Sequence, residues 1–275
     1  MLQLIQILGL PFLACITMGG ILGYLGIHVL KREVIFIDIA LAQIAAVGSI
    51  AAHLAFEVHG DSIGAYICSL GCVLLAAVFY ALVRRKVTQI SIEAVIGISY
   101  AIAAAGALFL VGIAPGGHVH VQTMLSGSLL WATWRDVIST LVLFSVVGTA
   151  FFAFRKPFNQ ISDNYNSAVM KGMNVVWWDF LFYALLGMVI TLAVRIAGVV
   201  AVFAFLIIPA AVSAMIGINR GLRMFVAWIV AILASIMGLL FAYYLDFSVG
   251  PSIVLFSGSA LVVVAILQRI TSQPN

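Results

Sequence analysis

The sequence contains very little charge. Only 8% of its 275 residues are Asp, Glu, Lys or Arg, whereas 65% are hydrophobic and the mean hydropathy is +1.25. Soluble domains carry roughly 25% charged residues, so this composition excludes an ordinary soluble domain. We therefore expect an all-α integral membrane protein, a single transmembrane domain over residues 1–275 built from helices of about 20 residues each.

The sequence also lacks the short motifs of common enzymes. It has no GxxxxGK[ST] phosphate loop, no nucleophile elbow, no HExxH and no CxxC. We expect no enzyme activity and no cofactor, and an ATP-driven process would need its motor on another subunit. The three cysteines, Cys15, Cys68 and Cys72, lie in apolar runs. Cys68 and Cys72 share one helix face and could bind a soft metal ion, although packed thiols are the simpler interpretation.

Long apolar runs dominate the sequence, and they predict about nine membrane spans. Glycine and proline inside several runs favour close crossings and kinks. The N-terminus has no basic segment, so a cleaved signal peptide is not expected. The predicted spans are residues 7–30, 37–56, 62–83, 91–113, 136–155, 178–194, 197–217, 222–244 and 249–268.

The basic residues are concentrated in every second gap between these runs. Lys and Arg in short loops resist translocation, so these gaps are predicted to be cytoplasmic. With nine spans, the N-terminus would lie outside and the C-terminus in the cytoplasm. Anionic lipid beside these loops accounts for the net charge of +4, and no nucleic-acid partner is expected. The basic gaps contain Lys31 and Arg32; Arg84, Arg85 and Lys86; Arg155, Lys156 and Lys171; and Arg220 and Arg223.

Two gaps are too long to be simple turns. The outer gap, about 114–135, has an apolar second half that is too short to span a bilayer, so we interpret it as an interfacial or re-entrant element. The inner gap, about 156–177, predicts a short helix capped by Ser162 or Asp163 and ended by Gly172. This helix could dock a motor subunit, or it could be an ordinary amphipathic loop helix.

The second span carries ionisable groups, which are rare inside a membrane and are therefore candidate functional residues. At 100° per residue, Asp38, Ser49 and His53 fall within about 60° of one another, with small alanines between them. Carboxylate and imidazole are ligands for zinc, manganese or ferrous iron. Alternatively, Asp38 pairs with Arg32 or caps the helix, and His53 lies at the outer interface. Two other carboxylates at span ends are interpreted as capping or solvated groups: Asp179 and Asp246.

The predicted outer loops are rich in histidine. His118 and His120 follow a glycine pair, and a flexible loop could fold both imidazoles onto one metal ion. Glu57, His59 and Asp61 lie in the neighbouring outer gap and strengthen this interpretation. Solvated surface histidines are the alternative.

Several stretches, taken in order and spacing, resemble one known family, the membrane permeases of bacterial ABC importers for zinc, manganese and iron. These permeases are relatives of the larger vitamin B12 and siderophore permeases. The stretches are REVIFIDIALAQIAAVG at 32–48, EAVIG at 93–97, LSGSLLW at 125–131, SDNYNSAVMKGMNVVWWDFLFY at 162–183, RIAGVVAVFAFLIIPA at 195–210 and YYLDFSVGPSIVL at 243–255.

The resemblance implies a fold of the type II ABC importer class and a place in the bacterial inner membrane. It also implies that 163–173 is the helix that couples the permease to its ATPase, with Asp163, Ala168, Lys171 and Gly172 as its coupling residues and Asp179 following. The implied partners are cytoplasmic ATPase subunits, an extracytoplasmic metal-binding protein and a second copy of the permease.

One position departs from the family pattern. Many relatives carry an Asp and, four residues later, a His at the start of the second span. Here position 42 is Ala, and Gln43 aligns with the His. Gln is a poor ligand for zinc. Either His53, His118 or His120 substitutes for it, or the transported ion has less need of nitrogen ligands, or the path relies on few direct ligands.

The sequence therefore predicts the membrane subunit of an ATP-driven importer for a divalent transition metal, with zinc first and manganese or iron next. One alternative is a secondary transporter driven by protons through Asp38 or Glu93. The other is an ABC permease of the siderophore or vitamin type.

Overall fold

The computed structural model describes residues 2–56, 62–87, 89–113, 127, 129–217 and 220–271. All regular structure in these residues is helical. The helices are α1 (Leu2–Lys31), α2 (Ile37–Phe56), α3 (Ile63–Lys86), α4 (Ile92–Ile113), a 3₁₀ turn (Leu129–Trp131), α5 (Trp134–Ala153), α6 (Arg155–Asp163), α7 (Tyr165–Met170), α8 (Val175–Ala197), α9 (Val199–Met215), α10 (Arg220–Leu245) and α11 (Val249–Thr271).

Eight of the described helices are long and apolar enough to cross a membrane, namely α1 to α5, α8, α10 and α11. They confirm the all-α membrane class and eight of the nine predicted spans. The remaining prediction, 197–217, corresponds to α9, which is apolar but has only 17 residues. Gly198, with φ of 82°, is the single residue between α8 and α9.

The helices belong to two compact units. The first contains Met1–Leu30, Leu125–Val146 and Arg195–Asn275, and it packs α9, α10 and α11 against one another. Close approach in this unit depends on glycine, because a Cβ on Gly26 of α1 would collide with the carbonyl of Leu206 in α9. Trp228 of α10 donates its indole N–H to the carbonyl of Gly20 at 2.8 Å, which satisfies a polar group inside an apolar bundle.

The second unit contains Lys31–Met124 and Val147–Val194, and α2 packs against both α3 and α4. A Cβ on Gly48 of α2 would lie 2.8 Å from the Cα of Ser69, so the glycine allows α3 to approach the α2 backbone. On another side of α2, Ile50 packs with Ala107 and Val111 of α4.

Aromatic side chains attach the inner helix α6 to the second unit. The Phe158 ring of α6 stacks on Phe151 of α5 with centroids 4.6 Å apart, and it meets Phe182 of α8 edge to face. Phe151, Phe158 and Phe182 are all fully buried. The segment predicted to be cytoplasmic is therefore held by the ends of two spans.

Candidate functional site

Asp38 lies in the first turn of α2 and is only 1% exposed. The backbone amides of Asp38 and Ile39 lie near its carboxylate, but neither oxygen has a hydrogen-bond partner of acceptable geometry in the described part of the chain. An ionised carboxylate buried without a partner is costly, so it is a candidate for binding a cation or a proton.

The alternative in which Asp38 pairs with Arg32 is wrong. Arg32 is directed elsewhere: its Nη1 lies 2.6 Å from Oδ1 of Asp179. The interpretation of Asp179 as a capping or solvated group is also wrong, because both side chains of this pair are fully buried. With Arg32 bound to Asp179, the Asp38 carboxylate has no cation paired with it in the part of the chain that the structure describes.

The side of α2 that carries Asp38, Ser49 and His53 is called the polar stripe here. The alanines between these residues are buried: Ala42, Ala45 and Ala52 are at most 6% exposed. Ser49 and His53 are half-buried farther along the same helix. Gln43 is half-buried too, but at 100° per residue it lies about 140° around the helix from Asp38. A regular α2 therefore keeps Asp38, Ser49 and His53 on one side, and Gln43 lies outside that stripe.

A second carboxylate lies close to the start of α2. Oε1 of Glu93, in the first turn of α4, accepts a hydrogen bond from the backbone N–H of Phe36 at 3.1 Å. The Glu93 charge also acts repulsively on Asp38. Two acidic side chains therefore lie near the start of α2 inside the second unit.

The remaining predicted metal ligands, His118 and His120, lie outside the described residues, as do Glu57, His59 and Asp61. Within the described ranges, no group of three or more His, Cys, Asp and Glu side chains could hold a metal ion. The described candidate site therefore consists of Asp38 and the polar stripe on α2.

The inner segment forms two helices where one was predicted. Ser162 and Asp163 belong to the end of α6, so the prediction that one of them caps the next helix is wrong. The N-cap of α7 is Asn164, whose side chain accepts a hydrogen bond from the N–H of Ser167 at 2.9 Å.

The prediction that Gly172 ends this helix is confirmed. Gly172 has φ of 72°, and its N–H donates to the Val169 carbonyl at 3.0 Å. The N–H of Met173 donates to the Ala168 carbonyl at 3.2 Å, which completes a Schellman motif.

The predicted coupling residues divide into a buried one and exposed ones. Ala168 is fully buried and packs with Ile161 of α6 and Val175 of α8, so it positions α7 rather than meeting a partner. Lys171 and Gly172 are exposed, and Met170 is 80% exposed. The exposed end of α7 is therefore the part that is free to contact another subunit.

A buried ionic cluster that the sequence pattern did not reveal lies beside α6 and α7. The Arg32 Nε donates to Oγ of Ser162 at 2.9 Å, and its guanidinium lies 3.9 Å from the centroid of the Phe182 ring. Burial lowers the pKa of Arg32, and the neighbouring Asp179 carboxylate opposes that shift. A basic residue directly after a span, together with an acid one turn into another span, was the signal of this pairing in the sequence.

Arg84, at the end of α3, joins the same cluster. Its Nη1 lies 3.5 Å from Oδ1 of Asp179 and donates to the Tyr183 hydroxyl at 3.2 Å. Its guanidinium lies 4.7 Å from the centroid of the Tyr165 ring, at the start of α7. One buried carboxylate therefore faces two cations that also contact the inner helices.

Comparisons with known proteins agree with this architecture. A model of the ABC 3 transport family matches residues 5–268. The chain is 25% identical over 266 residues to the "High-affinity zinc uptake system membrane protein ZnuB" of Haemophilus influenzae, covering 96% of this chain and 98% of that protein. It is 24% identical over 238 residues to a "Probable iron transport system membrane protein" of the same species, covering 86% and 82%. Among solved structures, PsaBC from Streptococcus pneumoniae in complex with Fab superposes with a TM-score of 0.77 at 22% identity, covering 94% of this chain and 90% of that one.

Proposed function

Because the chain belongs to the ABC 3 transport family, we propose that it is the membrane subunit of an importer that moves a divalent transition-metal ion into the bacterial cytoplasm. Relatives named for zinc and iron support a metal substrate. The candidate ions are zinc first, then manganese and iron. ATP would be hydrolysed by separate cytoplasmic subunits, two permease copies would surround the path, and an extracytoplasmic protein would deliver the metal.

The observation that carries this proposal is the buried Asp38 carboxylate, which has no hydrogen-bond partner among the described residues. A permease binds its ion only briefly, so an acceptor left unsatisfied by the protein is suited to this role. The polar stripe formed by Ser49 and His53 extends from Asp38 towards the predicted outer side, whereas Gln43 lies on another side of the same helix. His118 and His120 would capture the ion at the outer entrance.

The exposed end of α7 supports docking of an ATPase. Met170, Lys171 and Gly172 project from a helix whose other side is fixed by the buried Ala168. Closure of the ATPase dimer would displace α7 and open the path towards the cytoplasm. In this account Asp163 lies at the end of α6, beside the helix that docks.

The substitution Asp38→Asn tests the metal role. It removes a buried, unpaired charge, so the purified permease should unfold at the same temperature as the wild type or a higher one. Metal uptake by the assembled transporter should nevertheless fall at least about tenfold, which corresponds to roughly 1.4 kcal/mol of lost binding to the transported ion. The measurement is uptake of radioactive zinc and manganese into vesicles at limiting metal.

The matched control is Asp246→Asn. Asp246 is exposed and has φ of 54°, a backbone conformation that Asn adopts readily, so this change should leave uptake unaltered. If Asp38→Asn kept normal uptake, or lost uptake only together with thermal stability, the ion-binding role of Asp38 would be refuted.

A further inference from the structure

The buried cluster around Asp179 connects the inner helices to the start of α2. We propose that Arg32, Asp179 and Arg84 form the link that transmits displacement of α6 and α7 to the Asp38 end of α2. The three are positioning residues in this role. This inference rests on the proposed importer function and specifies how ATPase docking reaches the metal site.

Arg32 holds two helices at once. Its Nε bonds Ser162 of α6 at 2.9 Å, and its Nη1 bonds Asp179 of α8 at 2.6 Å. The Arg32 side chain is fully buried and its guanidinium rests on the ring of Phe182. Water is thus excluded from the link, and a shift of α6 must move Arg32 or break a buried hydrogen bond.

Arg84 makes the corresponding connection to α7. It shares Oδ1 of Asp179 with Arg32 and lies over the ring of Tyr165, the first residue of α7. Both inner helices therefore reach the same carboxylate, each through one arginine. Displacement of either helix changes the contacts of Asp179.

Arg32 is close to Asp38 along the chain and is joined to it by packed residues. Only five residues separate the two, and Val34 and Ile37 among them are fully buried. Glu33 has φ of 56°, so this connection turns sharply instead of extending as a slack loop. A movement of Arg32 is therefore delivered to the first turn of α2.

The cluster contains two further hydrogen-bonding groups through which its side chains could adopt a second arrangement. Nη2 of Arg32 and Oδ2 of Asp179 are buried, and within the described residues neither has a hydrogen-bond partner. A small rotation would add a second bond between these two groups and convert the single contact into a two-bond fork. Two discrete arrangements of this kind are what transmission between distant sites requires.

The chain supplies its own control beside this link. Nζ of Lys31 lies 2.8 Å from Oδ1 of Asp163. Lys31 directly precedes Arg32 and Asp163 directly follows Ser162, so this ion pair joins the same two segments as the Arg32–Ser162 bond. This pair is solvent-accessible, with side-chain exposures of 22% and 30%. Exposed ion pairs contribute little, so the pair should not carry transmission.

The experiment compares Ser162→Ala and Arg32→Lys with Lys31→Met in the complete transporter. The permease, its ATPase and its metal-binding protein are reconstituted in vesicles, and zinc or manganese uptake and ATP hydrolysis are measured together. Ser162→Ala removes one hydrogen bond at little steric cost, and Arg32→Lys keeps the charge but cannot make both contacts. The number of ions transported per ATP should fall at least about fivefold in both variants, while basal hydrolysis stays near that of the wild type. Lys31→Met should match the wild type.

Two results would overturn the link. One is an unchanged ratio of ions to ATP in both Ser162→Ala and Arg32→Lys. The other is a parallel loss of uptake, hydrolysis and assembled complex, which would show that the cluster only supports folding. Failure of the importer function itself would be recognised separately, because the wild type would then show no ATP-dependent uptake and both proposals would be refuted.

Discussion

At Gly172 the backbone has φ of 72°, and no described atom lies within 4 Å of where a Cβ would be placed. This chain therefore leaves room for a side chain, and the constraints are the backbone conformation and any docked partner. A residue other than glycine costs roughly 1–2 kcal/mol in this conformation, whereas Asn tolerates it better. Two substitutions can therefore separate backbone strain from bulk.

We predict that Gly172→Trp abolishes docking and that Gly172→Asn preserves it. The bulky ring would occupy the exposed surface where the ATPase approaches, so copurification of the ATPase and ATP-driven uptake should drop at least about tenfold. Both variants should insert in the membrane normally. If the Gly172→Trp variant were as active as the Gly172→Asn variant, docking of the ATPase at this end of α7 would be contradicted.

For α2 as an element, the prediction concerns which side faces the ion path. In the assembled transporter, Cys at Ala45 or Ser49 should react with small water-soluble thiol reagents, because these positions share a side with the Asp38 carboxylate. Cys at Val47 should be protected, since Val47 lies about 180° around the helix from Asp38 and packs with the Ile50 cluster against α4.

The labelling requires a permease without its native cysteines, which are Cys15, Cys68 and Cys72. Added zinc should slow the reaction at the Asp38 side, because an ion in the path would occlude the thiols. Equal protection of both sides would refute the path along α2.

The elements also show what the sequence could and could not predict. Long apolar runs made the spans predictable because burial in lipid requires them. The capping of α7 was not predictable, because Ser162, Asp163 and Asn164 are all good cap residues. Tertiary contacts decided between them: Arg32 binds Ser162 and Lys31 binds Asp163, and Asn164 caps the helix.

The pairing of Arg32 with Asp179 could not have been predicted either, because the two residues are 147 positions apart. In the sequence, Asp38 was the nearer acid and the more obvious partner. The candidate metal residue Asp38 was recognised as an ionisable group inside a span. Its lack of a hydrogen-bond partner among the described residues, on which the proposed function rests, became visible only when Arg32 was found bound to Asp179.

At the scale of the whole molecule, charge and hydropathy together predict the class and the orientation. Eight helices suitable for crossing a membrane confirm the class. The predicted orientation, with basic gaps in the cytoplasm, would place the α6–α7 segment and the Asp179 cluster on the side where ATP is available. The Asp38 end of α2 would then lie near the cytoplasmic exit of the path.

The most direct test of the central claim is metal uptake into vesicles that contain the permease with its ATPase, with ATP and the proton gradient varied independently. ATP-driven import predicts that zinc or manganese accumulates only when ATP is hydrolysed, and that accumulation persists when an ionophore collapses the proton gradient. Accumulation that follows an imposed proton gradient without ATP, and disappears with the ionophore, would contradict the account and favour proton-coupled transport.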